Sequence, residues 1–402
     1  MTDPDTKPED LATTAPQRTW DIVVFGATGF AGRLIAGYLD QHAPKHLRLA
    51  IAGRDRNKLT DIAAALDRPF GKLVASVDDP ASLRAMAASA RVVLTTVGPY
   101  ARLGEPVVAA CVAEGTDYLD LTGEPSFVDR IRANYEAAAH ASGALVIHCC
   151  GFDSIPTDLG VLFTIKQLPA GLPITIDGYF EGKAGFSGGT FASALGALAE
   201  PRKPRGPRPA ALASDHIVRI IKRQRERPHY QRALRRWALP LPTIDPQIAL
   251  RSARARADYG PEFRYGHYMA LRSLSALAGT VAGLGTLALL ARARPVRDLL
   301  LRLRPSGTGP DEATRAKSWF RFTFFGRAGD TRVVTEVAGG DPGYDETARM
   351  AAESALCLAL QRDQLRERSG IQTTATAMGE LLLARLQAAG MSFRVIEAGL
   401  GT

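Results

Sequence analysis

The sequence predicts an α/β protein: an N-terminal doubly wound parallel sheet followed by a second, α+β domain. Three observations carry this. From Trp20 to about residue 150, short apolar runs alternate with amphipathic stretches of helical length, as a parallel sheet covered by crossover helices requires. A glycine-rich turn lies where the first run passes into the first helical stretch. Beyond Gly151 the alternation loosens and paired strand patterns replace it.

In chain order, the predicted strands of the first sheet are Asp21–Ala27, Leu47–Arg54, Lys72–Val77, Arg91–Gly98, Tyr118–Thr122 and Ala144–Cys149. Their carboxyl ends should border the ligand crevice. In the second domain, Ile174–Lys183 and the pair Trp319–Gly326 and Thr331–Gly339, joined at Arg327–Asp330, read as antiparallel strands. Helices are expected over Asp345–Arg362 and Thr376–Ala389, with Ser392–Glu397 returning as a strand. The division is a disordered tail over 1–19, a nucleotide-binding domain over 20–156 and a substrate or dimerisation domain over 157–402. In the last of these the C-terminal helices have the option of returning to the first domain. The proline- and arginine-rich stretch from Pro201 to Arg236 breaks periodicity and reads as a surface excursion, within a basic arm spanning 201–268.

With 46% hydrophobic and 23% charged residues among 402, the chain is neither disordered nor fibrous. Its four cysteines form no CxxC pair and have no metal-ligand spacing with histidine, so neither a disulfide framework nor a metal site is indicated. Residues 1–18 lack a basic start followed by an apolar run, so no secretory signal is recognisable and a cytoplasmic location is expected. The net charge of +9 is uneven: Arg202 to Arg304 holds 22 Lys/Arg against 6 Asp/Glu. Such a block suits an acidic partner, an anionic lipid or a solvated face. No aromatic platform accompanies it, which argues against nucleic acid. Ser273–Ala291 runs for 19 residues without a charge and is bracketed by Arg272, Arg292, Arg294 and Arg297. It reads as a buried helix, an interfacial anchor at the inner face of a membrane, or a span.

The strongest constellation is the strand Asp21–Phe25 running into Gly26, Ala27, Thr28, Gly29, Phe30 and Gly32. Gly26 permits the tight turn, Gly29 lets backbone approach a pyrophosphate, and Gly32 allows close packing of a helix whose amino end attracts negative charge. These are the parts of a Rossmann dinucleotide site. At the end of the second strand stands Arg54, where NAD-preferring sites commonly show a carboxylate; this favours NADP, with the guanidinium on the 2′-phosphate and Asp55 as a competing ribose ligand. Val97, Gly98 and Pro99 follow the fourth strand, where a loop passes the nicotinamide.

These residues carry a resemblance. The runs Val24–Gly32, Ala52–Arg54, Val97–Ala101 and Cys150–Pro156, with Tyr118–Glu124 and Gly340–Tyr344, resemble the saccharopine dehydrogenase-like oxidoreductases, and within them the trans-acting enoyl reductase branch. The likeness extends over nearly all of the chain after residue 20. It implies NADPH as hydride donor and reduction of a carbon–carbon double bond on a lipid or polyketide acyl chain. That substrate would be carried by an acyl carrier protein or polyketide synthase, in lipid metabolism; contact with a lipid surface and homodimerisation are compatible with it.

Hydride transfer leaves the protein to orient, exclude water and donate a proton. Tyr100 and Tyr118 are the first candidates for a donor that steadies an enolate, and Asp153 faces the crevice. Glu124 is a helix-cap candidate beside Pro125, and Ser154 or Asp153 could cap the helix near Thr157. Cys149 and Cys150 end a buried strand and read as small hydrophobes. Gly185–Gly189 precedes another helical stretch and reads either as an anion-binding turn or as a flexible one. The alternative to catalysis is a lipid-surface scaffold or sensor that binds NADP.

Overall fold

The computed structural model describes residues 18–183, 219–292 and 310–400. The chain begins with β1 (Trp20–Phe25), α1 (Phe30–His42), β2 (Leu49–Gly53), α2 (Arg56–Ala64), β3 (Gly71–Val74) and α3 (Pro80–Ser89). It continues with β4 (Ala90–Thr95), α4 (Tyr100–Leu103), α5 (Glu105–Ala113), β5 (Asp117–Asp120), α6 (Pro125–Ser142), β6 (Leu145–Ile147) and α7 (Ile155–Ile165). The central strands β1, β2 and β4 are short, largely apolar runs buried on both faces, as covered parallel strands must be, whereas β3 at the sheet edge alternates half-buried and exposed residues. Helix starts follow local chemistry: Asp55 accepts from the amides of Asn57 and Lys58 at the head of α2, and Asp79 does the same for Ala81 and Ser82 ahead of Pro80 in α3. Gly143, at φ +76°, closes α6 in the left-handed conformation.

The next elements are β7 (Ile174–Lys183), β8 (Ile220–Arg223), β9 (His229–Gln231), β10 (Arg236–Pro240), α8 (Asp245–Ala255), β11 (Glu262–Leu271) and α9 (Leu274–Arg292). After them come α10 (Glu312–Arg315), β12 (Trp319–Ala328), β13 (Thr331–Gly339), α11 (Asp345–Gln361), β14 (Gly370–Gln372), α12 (Thr374–Ala377), α13 (Gly379–Ala388) and β15 (Ser392–Leu400).

The first sheet has the order β14-β6-β5-β4-β1-β2-β3 with every pair parallel. Its switch point lies between β1 and β4, so the loops after Phe25 and Thr95 face each other across the crevice. The short β14 brings the C-terminal part of the chain back to this sheet beside β6. The second sheet has the order β15-β13-β12-β7-β11-β10-β9, with β8 also on β11. The expected antiparallel pairing holds for β7, β12 and β13, but β7 and β11 run parallel. The reason is connectivity, since a long crossover that includes α8 separates them.

Two expectations are corrected. The described part of the basic arm, 219–268, is folded as β8–β11 and α8 rather than lying loose. Its arginines hid the alternation: Phe263 and Tyr265 of β11 are buried while Arg264 between them is exposed. The apolar segment 273–291 does form a helix, α9, but it is not buried, and Leu274, Val281, Leu289 and Leu290 are among the most exposed apolar side chains. No helix among the described residues is long and apolar enough to cross a membrane. The tail 1–17, the stretch 201–218 and the turn at Gly185–Gly189 lie outside the described residues.

Candidate cofactor and substrate site

The turn after β1 has the geometry of an anion cradle. Gly26 adopts φ +92°, and a Cβ there would meet the Thr96 hydroxyl at 2.6 Å. The Gly29 amide donates to the Gly26 carbonyl at 2.9 Å. A Cβ on Gly32 would stand 2.3 Å from the same carbonyl oxygen, so only glycine lets α1 seat this close to the turn. The first turn of α1 holds no acidic residue, and its N-cap, Gly29, has no side chain to spend on it. The orphan amides and the positive end of the helix are therefore available to a phosphate. Ala27 is buried, Thr28 is half-buried, and Phe30 packs edge-on to Tyr344 with ring centroids 4.7 Å apart.

At the end of β2, Arg54 is exposed and makes no ion pair with the described residues. Asp55, the rival ribose ligand, already caps α2 through Oδ1. After β4, Val97 is half-buried and Gly98 and Pro99 are exposed at the rim, joined by a cis peptide bond. The Thr96 hydroxyl donates to the Gly26 carbonyl at 3.1 Å, which ties this loop to the glycine turn.

The two tyrosines turn inward. Tyr100 is buried, donates to the Thr95 carbonyl at 3.1 Å and accepts from the Leu121 amide at 3.2 Å. Tyr118 is wholly buried and donates to Asp120 Oδ2 at 3.0 Å. Burial pushes both phenols well above their ordinary range. Each hydroxyl is thus buried and hydrogen-bonded at a strand end.

Asp120 is the hub of that end. Its Oδ2 also meets His148 Nδ1 at 2.6 Å, and its Oδ1 accepts from the amides of Thr122 and Cys149. One buried carboxylate therefore fixes the loops after β5 and β6 together. Glu124 does not cap α6 with its side chain; it reaches back to the amides of Tyr100 and Ala101 at 3.1 and 2.7 Å and caps α4. Cys149 and Cys150 are buried with thiols pushed well up by burial, so they pack rather than react.

Asp153 stands differently. The residue is exposed, with the Gly123 backbone against its carboxyl: a Cβ on Gly123 would sit 2.9 Å from its Oδ2. Burial, reinforced by the charge of Asp245, lifts it from 3.8 to about 7. Asp245 is itself raised to about 6 by burial. Ser154 is the N-cap of α7 but makes no side-chain cap bond, contrary to the cap expected of it or of Asp153. Beside Asp153, the half-buried ring of Phe152 packs against Phe180 of β7 and against Phe320 and Phe322 of β12, with centroids 5.8, 5.0 and 6.0 Å away. The loop after β6 and the second sheet thus meet in an apolar aromatic wall next to one acidic group.

Sequence reading missed three of these parts. Asp245 could have been found from the helix start Asp245–Pro246, an acid followed by proline. Gly123 and the aromatic wall left no local signal, because they meet only in three dimensions.

Comparison with known proteins identifies the family. Residues 22–147 match the family model of the saccharopine dehydrogenase NADP-binding domain. A Mycobacterium tuberculosis protein assigned by name to the trans-acting enoyl reductases is 38% identical over 416 residues, covering 95% of this chain and 98% of the relative. The trans-acting enoyl reductase of Mycobacterium bovis is 36% identical over 417 residues, covering 93% and 97%. The solved structure of saccharopine dehydrogenase (L-Glu forming) from Saccharomyces cerevisiae superposes with a TM-score of 0.57 at 12% identity, over 94% of this chain and 100% of that one, a likeness of fold. The chain is an NADP-dependent oxidoreductase with a saccharopine dehydrogenase-like fold, and it belongs to the trans-acting enoyl reductase family.

Proposed function

We propose that this protein reduces the carbon–carbon double bond of an α,β-unsaturated acyl thioester, with the acyl chain, of lipid or polyketide type, presented by a separate acyl carrier protein or synthase. The observation that supports the reading best is Asp153, an acid lifted to about 7 that adjoins the aromatic wall built on Phe152. Residues 20–156 supply the cofactor side and residues 157–402 the substrate side. Bound NADPH supplies a hydride to the β-carbon.

The chain's own residues do the rest. The amides at the head of α1, around Gly26, Ala27, Thr28, Gly29, Phe30 and Gly32, hold the pyrophosphate, and Arg54 holds the 2′-phosphate. Val97, Gly98 and Pro99 border the nicotinamide. As electron density moves from the double bond toward the thioester carbonyl, Asp153 delivers its proton to the α-carbon, leaving a saturated thioester. Its raised pKa keeps that proton available near neutral pH. Tyr100 and Tyr118 act through Thr95, Leu121 and Asp120, as positioning residues. The apolar wall excludes water and suits an acyl chain better than a polar amino-diacid.

The test is loss of the near-ultraviolet absorbance of NADPH when a short enoyl thioester is supplied, with the saturated product identified by mass spectrometry. Binding of NADPH without turnover of any enoyl thioester would favour the second reading, a lipid-surface scaffold or sensor. The exposed apolar α9 is the observation behind that reading. Both readings include a cytoplasmic protein in peripheral contact with the inner face of a membrane.

A further inference from the structure

The helix α9 is unlike every other long helix described. Leu274, Val281 and Leu289 fall on one stripe with Ala278 and Gly285, and their exposures are 56%, 49% and 66%. A Cβ on Gly279, Gly283 or Gly285 would meet nothing within 4 Å, so no other described element covers these turns. Three glycines weaken a helix in water, whereas glycine is common in helices set in lipid. The polar side chains near its start are already self-satisfied. Ser273 and Ser275 pair at 2.8 Å, and the Thr280 hydroxyl donates to the Ala276 carbonyl at 2.8 Å. Hydroxyls bonded in this way tolerate loss of water.

The root of the helix has a second chemistry. It follows β11 directly and packs on β10 and β11. In the connections of β8, β9 and β10, Arg225, Arg227, Arg232 and Arg235 are exposed and make no ion pair with the described residues, and Arg272 begins the helix segment. Tyr230, 46% exposed, stacks edge-on to Trp237 with centroids 5.4 Å apart. An aromatic pair and unpaired arginines beside a bare apolar helix match the layers of an anionic bilayer: acyl chains, then the interfacial belt, then phosphate.

We infer that α9, with the arginine and tyrosine–tryptophan margin of β8–β10, is a docking surface for the face of an anionic membrane, into which the helix sinks along its length rather than crossing. Crossing is disfavoured by connectivity. The chain must return from Arg292 to β12 of the same sheet, and the 293–309 stretch that does so carries Arg294, Arg297, Arg302 and Arg304. The inference builds on the peripheral contact proposed above and gives it a location and a lipid class.

The full chain is co-sedimented with phosphatidylcholine vesicles and with vesicles containing phosphatidylglycerol, while NADPH-dependent turnover is followed with a soluble enoyl thioester. The wild type is expected to pellet with the anionic vesicles and to be released by salt. Val281→Asp with Leu289→Asp should abolish pelleting. Arg225, Arg227, Arg232 and Arg235 changed together to Gln should weaken partitioning roughly several hundred-fold, at about fivefold for each charge near an anionic surface. Both variants should keep wild-type turnover, because neither touches the crevice. The inference is overturned if the wild type ignores anionic vesicles, or if the aspartate variant still binds them. It is also overturned if that variant merely converts a dimer to a monomer, since the stripe would then belong to a second copy. Loss of turnover in the wild type itself, with vesicle binding intact, would instead refute the catalytic reading.

Discussion

Replacing Gly32 with alanine tests the seat of the pyrophosphate turn. The new methyl would stand 2.3 Å from the Gly26 carbonyl oxygen and 2.7 Å from the Ala27 Cα. Ordinary contact needs about 3.4 Å or more, so α1 must withdraw from the turn by roughly 1 Å. Overpacking of that kind costs about 1–3 kcal/mol, which corresponds to roughly 5- to 150-fold in an equilibrium constant. The same displacement separates the amides of α1 from the turn, so stability and cofactor affinity should fall together. Gly29→Ala is the control. Its methyl would meet only the Gly26 carbonyl, at 3.3 Å, and its φ of −79° suits any residue. That variant should keep its melting temperature yet lose NADPH, because the methyl stands where the phosphates approach. Calorimetric titration with NADPH and a thermal melt of each variant give the readout. If Gly32→Ala binds NADPH within about twofold of the wild type at an unchanged melting temperature, the cradle has been misplaced.

Other outcomes follow from the same site. Arg54→Ala should weaken NADPH about 10- to 100-fold, the worth of a charge-assisted bond, and leave NADH unchanged; equal losses for both cofactors would remove the guanidinium from the 2′-phosphate. Turnover should fall as pH rises through about 7, where Asp153 gives up its proton, and Asp153→Asn should abolish that limb along with most of the rate. Asp245→Asn removes the charge that helps to hold Asp153 up, so the limb should move to lower pH with the fold intact. Linkage gives an independent check by thermal melts. A carboxyl raised from 3.8 to about 7 binds its proton more tightly in the folded state. Its contribution is therefore full below about 4 and is lost as pH rises to 7. Asp153→Asn should accordingly gain stability relative to the wild type at pH 8, and the gain should vanish toward pH 4.

The cofactor half was legible because its parts are local. A strand, three glycines at fixed spacing and an arginine at the next strand end lie within 34 residues of Asp21, and each has a backbone or charge requirement that its residue type alone meets. The sequence pattern overruns the strand ends, as with Arg91–Gly98 against the observed Ala90–Thr95, because the uncharged run continues into the loop after β4. The basic stretch hides its strands for a different reason. In β11 the outward Glu262 and Arg264 and the buried His267 interrupt an otherwise apolar pattern, and local composition does not reveal that His267 lies beside Tyr265 at 2.8 Å inside the fold. Tyr100 and Tyr118 stand at the right strand ends, but only the three-dimensional structure shows that their hydroxyls face Thr95 and Asp120.

The most direct test supplies NADPH deuterated at the transferable position together with an enoyl thioester, and follows the product by mass spectrometry and NMR. The account predicts a saturated thioester carrying one deuterium at the β-carbon and a solvent proton at the α-carbon, with NADP formed in equal amount. Oxidation of the cofactor without a saturated product, or label elsewhere than the β-carbon, would contradict it.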